Sequence, residues 1–141
     1  MHMIKLVVGS ATIDEFSAYQ DRNLINFEGQ KANGVITRQF PKRAEDILKN
    51  NGSMYRVIKN VIQFHQRIIG FKKFEHPEKG RMCLIACAPD IIRTRPTPRR
   101  PFQGWRYLEP ENAPADLMSY NNDQNINDST LLNDLHAAGL L

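Results

Sequence analysis

Hydrophobic and polar positions along the chain form short regular runs, separated by polar stretches rich in glycine or proline. Ile4 to Val8 is a run of branched residues stopped by Gly9, and it predicts a strand. Thr12 then opens a helix: Glu15 stands three residues on, where its carboxylate can reach back to a free amide at the cap. Ile13, Phe16 and Tyr19 recur at helical spacing and give that helix one apolar face. Residues 23–34 read as polar and turn-rich, and Gly34 leads into VITRQF, a short alternating strand. Pro41 suits a first helical position, so KRAEDILKN is expected as a short helix closed by Gly52.

SMYRVIKNVIQFHQRIIGF holds two β-rich runs around Lys59 and Asn60, and Asn60 tolerates the left-handed geometry of a tight turn; the pattern predicts a hairpin or one long bent strand. In the second run Ile62, Phe64, Gln66 and Ile68 share a face opposite Gln63, His65, Arg67 and Ile69. An amide at Gln66, on the apolar face, must find a hydrogen bond, from backbone or from a buried network. After a charged turn at residues 76–80, MCLIACA is apolar on both faces, as in a central strand or a barrel wall. Pro96, Pro98 and Pro101 predict an extended surface arm through RTRPTPRR. FQGWRYL alternates again, with Phe102, Gly104, Arg106 and Leu108 opposite Gln103, Trp105 and Tyr107. Beyond it the chain turns polar and rich in asparagine, then ends in TLLNDLHAAGLL, a helix by its leucine spacing.

These elements make an α+β domain with a mostly antiparallel, strongly curved sheet or small barrel, two short flanking helices and a C-terminal helix. Residues 1–117 form the globular domain, 118–129 a polar linker and 130–141 the helix docked on it. At 141 residues no second core is needed. Cys83 and Cys87, on one strand, would lie roughly 13 Å apart, too far for a disulfide. The four histidines pair with neither cysteine at a zinc-ligand spacing, so the sequence implies neither metal nor cofactor. No apolar run approaches a membrane span and no leader pattern is present, which points to a soluble cytoplasmic protein without a membrane partner.

The net charge of +4 suits a polyanionic partner. Arg93, Arg95, Arg99 and Arg100 lead into PFQGWRYL, which holds the only tryptophan. Guanidinium groups can grip phosphate with parallel donors, Trp105 and Tyr107 can stack on bases, and Gln103 can read a base edge. Together these are the requirements of a single-stranded RNA or nucleotide site. The candidate surface is Arg38, Arg43, Arg67, Arg99, Arg100, Gln103, Trp105, Arg106 and Tyr107. Trp105 reads more readily as core than as platform, and Arg106, sharing a side with Phe102 and Leu108, reads equally as half of a buried ion pair with Glu45, Asp46 or Asp90. Lys42 and Arg43 at a helix start oppose the helix dipole, which suggests an anionic partner or a solvated face. A different reading is a small enzyme acting on an anionic metabolite, with His65 as acid or base and Arg67 or Arg106 as anion clamp. A third is a protein-interaction module using the proline and arginine arm. A nucleophile elbow, a phosphate-cradling glycine loop and a metalloprotease helix are absent from the sequence.

TRQFPKRAEDIL, GSMYRVIKNVIQFHQRII and RPTPRRPFQGWRYLEPENAPADL together resemble a bacterial family of unknown function, DUF1489, whose end LHAAGLL also resembles. This chain has Asn60 where that family favours glycine and Arg56 where it favours tryptophan. The resemblance implies a grouping without an activity. More loosely, a short helix, a glycine, GSMYRVIK and a strand ending QRIIGF are similar in order to PUA-like domains of the ASCH and EVE group, which implies a barrel and recognition of RNA or modified bases.

Overall fold

The computed structural model describes residues 1–120. Its elements in chain order are β1 (His2–Leu6), α1 (Ile13–Arg22), β2 (Ile25–Phe27), β3 (Gln30–Thr37), α2 (Ala44–Lys49), β4 (Ser53–Ile58), β5 (Val61–His76), β6 (Gly80–Cys87), β7 (Ile91–Pro98), β8 (Trp105–Leu108) and β9 (Asp116–Tyr120), with a short 3-10 turn at Pro110–Asn112. The strands form one mixed, curved, open sheet in the order β2-β3-β6-β5-β4-β1-β8, with β7 beside β5 and β9 beside β7. β1 and β4 run parallel, and the other ladders are antiparallel. The α+β class and the strongly curved sheet follow the sequence pattern; the ring of a small barrel is not what the strands form.

β5 is the spine. Its first half pairs with β4 on one side and β7 on the other, while Ile68 to His76 pair with β6. The β4 and β7 ladders both skip Gln63, and the β6 ladder skips Ile69. Each skipped residue bends the strand and raises its twist, which is how sixteen residues fold over on themselves as a curved spine. The hairpin into β5 turns at Lys59 and Asn60, both at positive φ (52° and 65°), the two-residue turn whose twist suits antiparallel strands.

Every residue of β4 is buried, because both faces of the sheet are covered there. On one face Met3, Met54, Ile47, Ile68, Cys83 and Ile85 form the largest cluster. On the other, Ile4, Tyr55, Val57, Ile62 and Leu108 pack under Phe102 and Ala113. α1 caps a third group, Phe16 and Ile13 against Ile58, Phe64 and Ile91. The helix starts as its sequence suggests: Thr12 Oγ1 accepts from the Glu15 amide at 3.1 Å, and the Glu15 carboxylate accepts from the Ala11 amide at 2.8 Å. Its inner face differs from expectation. Tyr19 is exposed, and Gln20 turns inward to meet Gln66 Nε2 at 2.6 Å, within an amide network that also holds Asn33 and the Pro89 carbonyl.

Other departures have local causes. Residues 23–34 contain β2 and the start of β3, joined by Glu28 and Gly29 at positive φ, so the turn-rich composition marks a hairpin and not a loop. α2 begins at Ala44, later than Pro41, and it is Asn51 (φ 56°) that takes the left-handed stop, with the Gly52 amide donating to the Ile47 carbonyl at 2.7 Å. Gly52 is required instead because a Cβ there would meet the Met1 carbonyl and Ile47. RTRPTPRR is extended and mostly exposed, as its prolines suggest, but it is not free: Arg93, Thr97 and Pro98 pair with β5, and Arg93 and Thr94 pair with β9. β9 also takes residues 118–120 that read as linker; the remaining linker and the C-terminal helix lie outside the described residues.

Candidate nucleic-acid interface

β8 is the edge strand beside β1, so its alternation decides which aromatic groups reach solvent. Lys5 registers with Trp105, Ile4 with Arg106 and Met3 with Tyr107. Trp105 and Tyr107 are half-buried, packed on the cluster around Met3 and Met54, with ring centroids 4.9 Å apart at 73°. Trp105 is therefore rooted in the core and open at one edge. The Tyr107 hydroxyl accepts from the Arg43 amide at 3.1 Å, and the Arg43 guanidinium lies 5.9 Å from that ring. Arg43 also binds Asp46 at 2.8 Å, which offsets the unfavourable position of a cation at a helix start.

The opposite face of β8 carries a different arrangement. Arg106 is exposed and has no carboxylate partner among the described residues; its Nη1 donates to the carbonyls of Gln103 (2.7 Å) and Trp105 (3.0 Å). The ion pair with Glu45, Asp46 or Asp90 is not formed. The cause is Gly104 at φ 69°, which turns the chain just before β8 and brings the Gln103 carbonyl within reach of Arg106. No atom lies within 4 Å of a Cβ built there, so Gly104 serves backbone geometry and not close approach. Phe102 is flanked by the guanidinium groups of Arg99 at 5.2 Å and Arg106 at 5.4 Å. Arg100 and Gln103 are exposed beside them. Farther along, Arg93 lies over Tyr120 at 5.2 Å with its buried Nε lacking a partner.

Arg38 belongs elsewhere. Thr37 registers with Cys83, which registers with Lys73, so the end of β3 meets the β5–β6 hairpin. There Arg38, Phe40, Lys73, Phe74, Glu75 and Arg81 surround a groove of about 430 Å³ floored by Met82 and Cys83. Lys73 Nζ sits 4.8 Å over the Phe40 ring, and Arg81 lies 3.6 Å from the Glu75 carboxylate. The segment from Arg38 to Arg43 thus supplies two sides of the groove and the cation over Tyr107. Lys73, Phe74 and Arg81 went unmarked in the sequence, where residues 76–80 read as a charged turn; alternation along so long a strand was the available signal.

Arg67 is exposed, while His65 two residues earlier is buried between Tyr55, stacked at 4.7 Å, and Asp116, whose Oδ1 is 2.8 Å from Nε2. His65 does not line the groove, and Arg106 is committed to Phe102 on the outer face of β8. The thiol of Cys87 is enclosed and pushed up to about 12 by burial, and that of Cys83 is also raised by burial.

The fold and groove define an α+β protein with a curved open sheet and a basic, aromatic groove at one end. The family model described as a protein of unknown function, DUF1489, matches residues 3–141, and the chain belongs to that family. No curated protein and no solved structure matches it. Among the described residues no helix is long and apolar enough to cross a membrane.

Proposed function

We propose that this protein binds single-stranded RNA or a nucleotide, with the groove as the seat and the edge of β8 as its extension. The observation that carries this reading is the groove itself. Its volume of about 430 Å³ falls in the range of small-ligand sites, and Arg38, Lys73 and Arg81 stand among Phe40 and Phe74 around it. Cations hold phosphate oxygens there while a ring supports a base, with each stacked base contributing about 1 to 3 kcal/mol. Arg43, Trp105 and Tyr107 extend that chemistry beyond the segment from Arg38 to Arg43. Arg99, Arg100, Gln103 and Arg106 offer further phosphate and base contacts on the outer face, and exposed Arg67 a more distant one.

Binding of a labelled single-stranded RNA, followed by anisotropy across a salt series, tests the reading. The affinity should fall with salt, and Arg38→Ala with Lys73→Ala should reduce the slope by about 1 or more, given roughly 0.7 per neutralised phosphate on single strands. Bound RNA should also shield Trp105 from acrylamide quenching. An unchanged slope in that variant, and in Arg99→Ala with Arg100→Ala, would refute the proposal.

A further inference from the structure

Among residues that do not line the groove, β4 buries a cation that no ion pair neutralises among the described residues. Arg56 is only 6% exposed, and registers with Lys5 across the parallel β1–β4 ladder. Its Nε donates to the Lys5 carbonyl at 3.3 Å and its Nη2 to the Leu6 carbonyl at 3.1 Å, while the guanidinium lies 5.5 Å over the Phe16 ring. Neither Arg56 nor Lys5 takes part in an ion pair among the described residues. Burial pushes Arg56 down to about 10, and burial followed by the charge of Arg56 lowers Lys5. Arg56 nonetheless remains cationic at neutral pH. An enclosed charge without a counter-charge costs several kcal/mol, which an anion at this position would offset.

The same two side chains line a cavity of about 150 Å³ between β1, α1 and β3. Ser10 and Asn33 add polar groups, and the remaining wall is apolar, formed by Leu6, Val7, Phe16 and Val35 among others. Its mouth carries Val8, Tyr19 and Ile36, which are 84%, 55% and 52% exposed. Large apolar side chains left in water around one opening mark a binding surface better than the same residues scattered singly. The space of about 150 Å³ equals about five waters, which matches a small acid.

We infer that this cavity binds a small organic monocarboxylate, its carboxylate on Arg56 and Lys5 and its apolar part against Val8, Tyr19 and Ile36. Inorganic phosphate would satisfy the cations and leave the mouth uncovered. A neutral hydrophobe would do the reverse. The site is separate from the groove and stands whether or not the protein binds RNA.

Titration of the ¹⁵N-labelled full chain with benzoate, benzyl alcohol and inorganic phosphate tests it by amide shifts. Benzoate should give saturable shifts at Val7, Val8, Asn33 and Arg56 with a roughly millimolar constant, at least about 10-fold tighter than benzyl alcohol or phosphate. Arg56→Met, which keeps the side-chain volume, should remove that preference. Should Arg56→Met fail to fold, Tyr19→Ala on the exposed rim should still weaken benzoate several-fold without loss of stability. Equal binding of benzyl alcohol, tighter binding of phosphate, absence of saturable shifts, or a Tyr19→Ala variant that binds benzoate as the native chain does would each overturn the assignment.

Discussion

His65 and Asp116, fifty-one residues apart, meet at 2.8 Å between Nε2 and Oδ1 and tie the spine strand β5 to the edge strand β9. The other ring nitrogen of His65 is buried without a partner, so Asp116 supplies the one hydrogen bond this imidazole makes. Asp116→Ala should therefore destabilise the fold. Asp116 is itself 57% exposed, and water can replace it in part, so the expected cost is about 1 kcal/mol. Urea unfolding checks this; Asp116→Asn, which retains an acceptor, should recover much of the loss. An Asp116→Ala variant as stable as the native chain would show that the pair holds nothing together.

Alkaline pH should weaken the protein through three acids whose protons the fold holds, the buried Tyr55 and Cys87 and the half-exposed Tyr120. Burial, then the charge of Asp116, pushes the Tyr55 phenol up to about 12; burial, then a hydrogen bond to Asp14, pushes Tyr120 up to about 12. Burial alone does the same to Cys87, also to about 12. In each case the unfolded group gives up its proton first, near 9 for the thiol and 10 for the phenols. Stability is then complete below about pH 9 and lost as pH rises toward 12. The urea midpoint should fall between pH 9 and 11, and Tyr55→Phe should make that fall shallower above pH 10. A midpoint independent of pH over this range would contradict the burial of these groups.

The turn between β4 and β5 holds two non-glycine residues, Lys59 and Asn60, in the left-handed region. Each carries a cost of roughly 1 kcal/mol that glycine avoids, and asparagine followed by glycine is the pair this turn prefers. Lys59→Asn with Asn60→Gly should raise stability by about 1 kcal/mol, measured as an increase in Tm. A lower Tm would mean that the longer side chain of Lys59 makes a contribution its backbone conceals.

Features fixed by neighbouring residues were legible in the sequence. The α1 cap needs only Thr12 and Glu15, the hairpin only Lys59 and Asn60, and the central position of β6 only an unbroken apolar run. What escaped depends on pairing between distant segments. RTRPTPRR is the exposed, extended stretch its prolines suggest, but its pairing to β5 was not visible locally, and the groove exists because the β3–β6–β5 ladders bring Arg38, Lys73 and Arg81 together. Arg56 gave no local sign of standing in a cavity, since its burial comes from α1 and β3, neither adjacent in sequence. Arg106 does share a side with Phe102 and Leu108 as the alternation implies, but β8 is an edge strand, so its guanidinium lies in solvent over Phe102 and needs no buried carboxylate.

The ring of Phe27 lies on Gly70, where a Cβ would meet its Cε1 and Cζ atoms well inside contact distance. Gly34 registers with Ala86 and Ala86 with Gly70, so a row of small residues crosses three strands beside the cluster that holds Phe27. Phe27 comes from β2, at the end of the sheet path, and its ring can reach β5 only because that row leaves room. Gly70→Ala should therefore cost about 1 to 3 kcal/mol by overpacking, in an extended strand where alanine is otherwise at ease. The decisive comparison is a double-mutant cycle. Phe27→Ala alone should be strongly destabilising, by about 3 to 5 kcal/mol for a buried ring. In its presence Gly70→Ala should cost nothing further, giving a coupling of about 1 kcal/mol or more. Additive effects would mean that the ring does not rest on Gly70 in solution, and that β2 folds over the sheet by some other contact.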